Sequence, residues 1–141
     1  MNFSVGDILF FKEYTFTDTG KTVSHFGLVL LPEYATKYKN SLLCCVITSN
    51  QPRNKRWALA LKCSCYSCFT RDSFACFDRK DLVSKNGLGR DHQPKAKLSD
   101  EDSKKAFKIL KKSLFVIRDL ANNPFMRGAI IYEWKKALKL V

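Results

Sequence analysis

The sequence predicts a small β-barrel followed by C-terminal helices, a mainly β arrangement within the α+β class. Two observations support this. Short apolar runs bounded by turn residues fill the first half of the chain, and a helical apolar period begins near Ser99. The length of 141 residues suits one domain with a real core. We assign residues 1–84 to the barrel and residues 85–141 to a basic connection and amphipathic helices that pack on it.

Two apolar runs, residues 26–31 and 42–47, are predicted to be buried strands that pair with each other. Both are short, rich in Val, Ile, Leu and Phe, and bounded by Pro, Asn and Ser. The remaining strand predictions are 7–13, 57–65, 74–77 and the short 82–83. Polar residues 78–81 are expected to separate the last two. Short strands joined by brief turns are typical of a small barrel.

The C-terminal part reads as two helices. Ser99 is a predicted N-cap, and acidic residues 100–102 suit the positive end of the helix dipole. Phe107, Leu110 and Leu114 follow at helical spacing. Residues 122–124, Asn-Asn-Pro, are expected to end this helix and begin the next, since proline is tolerated at the first helical position. Residues 85–95 are predicted to be an exposed, mobile connection.

The charge of the chain points to a polyanionic partner. Its 25 Lys and Arg against 13 Asp and Glu give a formal net charge of +12. Nucleic acid is the first candidate and an anionic membrane surface the second. No apolar run approaches the roughly 20 residues that a membrane span requires. The N-terminus has no export signal, so we expect a cytoplasmic protein with free thiols.

Candidate catalytic side chains occur where the central strands begin and end. His25 enters the first central strand, and Thr48 and Ser49 leave the second, so antiparallel pairing would bring them to one end of the sheet. An imidazole can transfer protons near neutral pH, although a structural histidine is as common a role. Arg53, together with Lys55 and Arg56, adds positive charge beside these hydroxyls, which suits a phosphodiester backbone.

Two features of the sequence bear on whether the protein uses a metal ion. Cys63, Cys65, Cys68 and Cys76 have a spacing that could hold zinc, but only one Cys-x-x-Cys knuckle is present and cysteine also packs well as a small buried side chain. The acidic residues are too scattered for a two-metal nuclease. A metal-independent reaction, in which a ribose 2'-hydroxyl attacks its own phosphate, is therefore favoured. That reaction requires an RNA substrate.

From residue 5 to about residue 117 the sequence resembles the PemK/MazF family of toxin endoribonucleases. The resemblance rests on the runs 5–8, 26–30, 46–50, 70–73 and 77–79, followed by an amphipathic helix. It implies an SH3-like barrel, usually a homodimer, that cuts single-stranded RNA without metal or other cofactor and is neutralised by an antitoxin protein. The family's catalytic arginine is replaced here, since His25 and Phe26 stand where it carries Arg-Pro.

The resemblance also assigns roles to individual residues. Thr48 and Ser49 match the family's hydroxyl position, and Asp78 matches an acidic one. Our hypothesis is a toxin endoribonuclease in which His25 is general base or acid, Thr48 and Ser49 hold phosphate, and Asp78 orients or exchanges protons. Charge would be neutralised by three arginines, Arg53, Arg71 and Arg79.

Two alternatives stay open from the sequence. One is a non-catalytic SH3-like module that binds nucleic acid or a protein partner, for which the arginine-to-histidine change is the argument. The other is a zinc-stabilised regulatory domain. The helix after residue 124 has no counterpart in the family resemblance, and the sequence assigns it no role beyond packing or a partner contact.

Overall fold

The structure is a computed structural model that describes residues 2–90 and 92–141. The described residues form six strands, β1 (Asp7–Thr15), β2 (Thr22–Leu31), β3 (Ser41–Thr48), β4 (Ala58–Leu61), β5 (Ser73–Ser84) and β6 (Ala96–Lys97). The α-helices are α1 (Glu33–Thr36), α2 (Asp100–Val116) and α3 (Pro124–Ala137). Short 3-10 turns at Lys55–Trp57 and Lys85–Leu88 precede β4 and follow β5.

The strands form one antiparallel sheet in the order β4-β5-β3-β2-β1-β6, curled into a half-barrel. The predicted pairing of the two central apolar runs is confirmed, because Phe26 lies opposite Ile47 and Val29 opposite Cys44. Both strands lie inside the sheet and are covered on both faces, which is why their sequences are almost continuously apolar.

Each face of the sheet carries its own apolar cluster. On one face, side chains such as Leu28 and Phe77 pack with Phe107 of α2 and Trp134 of α3. We call this the helix-side cluster. The other face holds a second cluster that includes Phe11, with Leu9, Tyr14, Val29 and Val83. Alternation of side chains along the strands divides the residues between the two clusters.

Both long helices begin as predicted. The Ser99 side chain accepts a hydrogen bond from the Asp102 backbone N–H at 3.1 Å, and Asn123 caps α3 through the Met126 N–H at 2.9 Å. Helix α3, which was expected to pack on the barrel or contact a partner, is anchored to the sheet: the Trp134 indole N–H donates to the Leu30 carbonyl at 3.0 Å. None of the described helices combines the length and the apolar composition that a membrane crossing requires.

Two strand predictions were wrong. Residues 73–84 form one 12-residue strand, where two strands divided by residues 78–81 were expected. The predicted interruption continues the strand because Lys80 and Asp81 are buried with distant partners: the Lys80 ammonium lies 2.9 Å from Asp119, and Asp81 accepts from the Tyr14 hydroxyl at 2.7 Å. Strand β4 is only four residues long, because the Lys62 carbonyl starts a turn.

The connection after β5 is more buried than predicted. Gly87 and Leu88 are buried against β1, and Leu88 belongs to the second cluster. A Cβ atom at Gly87 would lie 2.1 Å from the Glu13 carbonyl oxygen, so only glycine allows this close approach. Residue 91, within the connection predicted to be mobile, lies outside the described residues.

Candidate active site

His25 and Thr48 occupy facing positions on the two central strands. The β2–β3 ladder pairs Phe26 with Ile47, and one step further along the same antiparallel register brings His25 opposite Thr48. Because facing residues share a face of the sheet, both side chains start from the face that carries the second cluster. The two polar positions predicted to converge therefore meet at one end of the central ladder.

The His25 ring lies between an aromatic wall and backbone carbonyls. Its centroid is 6.4 Å from that of Tyr14, and its Nδ1 lies 3.3 Å from the Phe26 carbonyl oxygen. Gly27 makes room for this wall, since a Cβ there would lie 3.0 Å from the Tyr14 ring. Partial burial lowers the pKa of His25 below its usual 6.5, and hydrogen bonds to the carbonyls of Phe26 and Ile47 oppose this shift. The imidazole is thus mainly neutral at pH 7.

A cleft of about 240 Å³ opens beside His25, and we call it the histidine cleft. Ser49 and Arg71 line it together with His25. Its apolar walls come from the half-buried rings of Phe10 and Phe26 and the buried Phe69. The Arg71 side chain is exposed, and it forms no ion pair with any other residue in the described ranges.

A second cleft of about 450 Å³, the threonine cleft, contains the other predicted polar groups. Thr48, Arg53, Asp78 and Arg79 line it, and so does Asp18 from the β1–β2 turn. Ser49 is not among them, because consecutive side chains of an extended chain point to opposite faces. The predicted group is consequently divided between two clefts, with His25, Ser49 and Arg71 in the histidine cleft and Thr48, Arg53, Asp78 and Arg79 in the threonine cleft.

The Arg79 guanidinium already has two partners within the protein, a carboxylate and an aromatic ring. Its guanidinium lies 2.5 Å from Asp18 and 4.1 Å from the centroid of the Phe16 ring. The hydrogen bond from Arg79 lowers the pKa of Asp18 below its usual value. Sequence reasoning missed Asp18, which lies in the connection between β1 and β2. Arg53, in contrast, forms no ion pair with the described residues and leaves its charge available.

Two predicted cations lie outside both clefts. Lys55 and Arg56 belong to the 3-10 turn before β4, where Asn54 accepts a hydrogen bond from the Arg56 N–H at 3.0 Å. The Arg56 guanidinium stacks 4.6 Å from the centroid of the buried Trp57 ring. Trp57 is therefore a core residue.

The four cysteines considered for zinc do not converge. Cys76 is buried in the second cluster, whereas Cys63 and Cys68 pack against the helix-side cluster and Cys65 is exposed. The sheet separates Cys76 from the others. In residues 2–90 and 92–141, no three His, Cys, Asp or Glu side chains are grouped so that they could hold a metal ion.

Comparison with known proteins identifies the fold. No family model and no curated protein sequence matches this chain. Among solved structures, the chain is similar to one described as an "Endoribonuclease in complex with its cognate antitoxin from Mycobacterial species", with a TM-score of 0.57 and 13% sequence identity. The match covers 82% of this chain and 98% of that chain. The curled antiparallel half-barrel with C-terminal helices therefore has the PemK/MazF-like fold predicted from the sequence.

Proposed function

We propose that this protein is a toxin endoribonuclease that cleaves single-stranded RNA without a metal ion. The solved structure that shares its fold is an endoribonuclease, and the net charge of +12 suits a polyanionic substrate. The proposal rests on the register of the central ladder, in which the positions of His25 and Thr48 come one step after the paired Phe26 and Ile47, and on the lowered pKa of His25.

The reaction requires only groups that these residues supply. The neutral His25 imidazole takes the proton of a ribose 2'-hydroxyl, and the oxygen attacks the adjacent phosphorus. The bond from phosphorus to the 5'-oxygen breaks, and that oxygen takes a proton from an acid. The products are a 2',3'-cyclic phosphate and a free 5'-hydroxyl. The Thr48 hydroxyl is suited to donate a hydrogen bond to a phosphoryl oxygen as charge develops there.

The two clefts suit the RNA on either side of the cut. Arg53 in the threonine cleft has charge available for a phosphate, and Arg71 in the histidine cleft forms no ion pair with a described residue, so its N–H donors are available to the RNA. Asp78, half-buried beside Thr48 in the lining of the same cleft, is the candidate for proton exchange at the leaving oxygen. Ser49 would contact the chain in the histidine cleft. Arg79, held by Asp18, would supply fixed positive charge rather than a mobile contact.

Three further features follow from the proposed class. We infer that an antitoxin protein neutralises the enzyme, as the solved structure of similar fold was determined with its cognate antitoxin. We also infer that the protein is a homodimer and acts in the cytoplasm. Light scattering of the purified chain would test the dimer, and co-purification with the product of a neighbouring gene would test the antitoxin.

The decisive experiment compares wild type with His25→Ala and with a matched control, His92→Ala. His92 is the second of the two histidines and is exposed outside both clefts. Single-stranded RNA is incubated with each protein in excess chelator. We expect the wild type and the His92 variant to cleave, and the His25 variant to be slower by about 100-fold to 10,000-fold.

Two results would contradict the proposal. One is intact RNA with wild-type protein, whether or not a divalent metal is added. The other is equal cleavage by wild type and the His25 variant. RNA binding without cleavage would instead support the alternative, a nucleic-acid-binding module of the same fold.

A further inference from the structure

The histidine cleft has the composition of a base pocket rather than of a phosphate site. Phosphate sites are built from cations, backbone N–H groups and hydroxyls, whereas single-stranded nucleic acids are held by aromatic side chains against which bases stack. Here three phenylalanines form the walls. The Phe10 and Phe26 rings meet edge to face with centroids 5.0 Å apart, and Phe26 meets Phe69 in the same way at 5.0 Å.

The size of the cleft limits what it can accept. Its volume of about 240 Å³ lies below the range of roughly 300–1,000 Å³ that is usual for pockets of drug-sized ligands. One planar ring system fits such a space, but a folded peptide segment does not. The half-buried Phe10 and Phe26 rings leave part of their surface open to a ligand, while the buried Phe69 supports them from behind.

The main hydrogen-bond donor of this cleft is Arg71. The Arg71 guanidinium carries five N–H donors and no acceptor, and it forms no ion pair with a described residue that would occupy them. The hydroxyls of Ser24 and Ser49 lie on the same lining. Ser24 already donates to the Lys12 carbonyl at 2.8 Å, which fixes its orientation. A guanidinium that pairs with no carboxylate can bind a ligand that carries two adjacent hydrogen-bond acceptors.

We propose that the histidine cleft is a nucleobase pocket in which Arg71 selects guanine. Guanine presents O6 and N7 side by side, and both accept hydrogen bonds from one guanidinium. Adenine offers N7 beside an amino group, which would place a donor against the donors of Arg71. Uracil has an N–H between its two carbonyls and so lacks two adjacent acceptors. Cytosine presents N3 beside O2, but its single ring fills less of the cleft than a purine does, so cytosine is the competitor that the test must include. The inference rests on the proposed function, since it names the base that lies next to the cleaved phosphate.

The test measures binding alone, so that it does not depend on cleavage. The probes are uridine heptamers with one central guanine, adenine or cytosine, made with 2'-O-methyl riboses that cannot attack the phosphate. Affinity is measured by fluorescence anisotropy for wild type, Arg71→Lys and Arg71→Gln. Arg90→Lys, at an exposed arginine outside both clefts, is the matched control. Arg71 is exposed, so neither substitution removes a core contact.

We expect wild type and the Arg90 variant to prefer the guanine heptamer. The preference should fall by about 5-fold to 150-fold in both Arg71 variants, because a bidentate contact discriminates by that factor and lysine cannot reproduce it. Arg71→Lys keeps the charge, so its affinity for the adenine and cytosine heptamers should fall much less than its affinity for the guanine heptamer. The dependence of its affinity on salt should stay unchanged too.

Two outcomes would overturn the proposal. In one, wild type binds the heptamers equally. In the other, Arg71→Lys keeps the guanine preference while Arg71→Gln weakens all heptamers alike and lowers the salt dependence, which identifies a phosphate contact. A protein that shows the preference but never cuts RNA would contradict the proposed cleavage and leave the base pocket standing. Cleavage of RNA without a guanine preference would contradict the base pocket and leave the proposed cleavage standing.

Discussion

The ammonium of Lys80 lies 2.9 Å from the Asp119 carboxylate and is completely shielded from solvent. This contact joins β5 to the segment between α2 and α3, and so holds both helices to the sheet. The second carboxylate oxygen of Asp119 accepts from the Ala121 N–H at 3.0 Å. Because the Lys80 ammonium cannot be solvated by water, the Asp119 carboxylate must balance its charge.

We expect Asp119→Asn to destabilise the fold by about 3 kcal/mol, because removing one partner leaves a buried charge uncompensated. The value is at the lower end for such pairs since the Asp119 side chain is 16% exposed. Urea unfolding provides the measurement. The double variant Lys80→Met with Asp119→Asn should recover much of the loss, because no buried charge remains.

An exposed ion pair provides the control. Lys105 pairs with Glu101 on the surface of α2, and Lys105→Gln should change the free energy of unfolding by about 0.5 kcal/mol or less. If Asp119→Asn were as mild as Lys105→Gln, the buried pair would not be what holds the helices. Failure of the double variant to recover stability would show that packing, rather than charge, dominates at Lys80.

The ion pair of Lys80 and Asp119 illustrates why some parts of the fold could be predicted from the sequence and others could not. The central strands could be predicted from the sequence, because burial on both faces leaves almost only apolar residues in each run. The helix starts are equally local, since Ser99 and Asn123 bond to N–H groups three residues ahead. Strand β5 was not predicted as one strand because Lys80 and Asp81 resemble turn residues in the sequence. Their partners, Asp119 and Tyr14, are distant in sequence and come close only in the tertiary structure.

The candidate site was predicted to a similar extent. Antiparallel strands bring the start of one beside the end of the next, so the meeting of His25 and Thr48 followed from the boundaries of the apolar runs. The separation of Ser49 from Thr48 follows from side-chain alternation but depends on which residue ends the strand. The ion pair between Asp18 and Arg79 joins residues 61 positions apart and has no local signal.

Two glycines should respond to alanine with opposite signs. At Gly87 a Cβ would lie 2.1 Å from the Glu13 backbone oxygen, and backbone cannot yield as a flexible side chain does. Gly87→Ala should therefore destabilise the protein by about 1–3 kcal/mol or more. At Gly128, inside α3, a Cβ meets nothing within 4 Å, so Gly128→Ala should stabilise it by about 0.5–1 kcal/mol.

Thermal unfolding followed by circular dichroism measures both glycine variants under the same conditions. A Gly87 variant as stable as wild type would mean that the 3-10 turn at Lys85–Leu88 can move away from β1. A destabilised Gly128 variant would mean that this face of α3 is covered in solution, for instance by a second copy of the chain.

Thr48 and Ser49 are neighbours in sequence but should differ in their effect on RNA cleavage. Thr48 faces His25 across the ladder, so Thr48→Val should lower the rate about 100-fold to 1,000-fold, as the loss of one transition-state donor does elsewhere. Ser49→Ala, in the histidine cleft, should affect the rate much less and act mainly on substrate affinity. Single-turnover rates at saturating RNA separate the two effects.

Thr48→Ser is the control, because Thr48 also accepts the Asn50 N–H at 3.1 Å and valine removes that contact. Serine keeps both the hydrogen bond and the catalytic donor, so its rate should approach that of wild type. Equal losses in Thr48→Val and Ser49→Ala would argue against a special role for the residue that faces His25.

The acidic limb of the cleavage rate should report the ionisation of His25. Burial lowers the pKa of this imidazole below 6.5, and only the neutral form can accept the 2'-hydroxyl proton. The rate should therefore stay high near pH 7 and fall as the pH drops through a midpoint below 6.5. The measurement is the single-turnover rate between about pH 5 and pH 8, the range in which histidine changes charge. The residual activity of His25→Ala should lack this limb, and an acidic midpoint above 6.5 in wild type, or one shared with His25→Ala, would assign the proton transfer to another group.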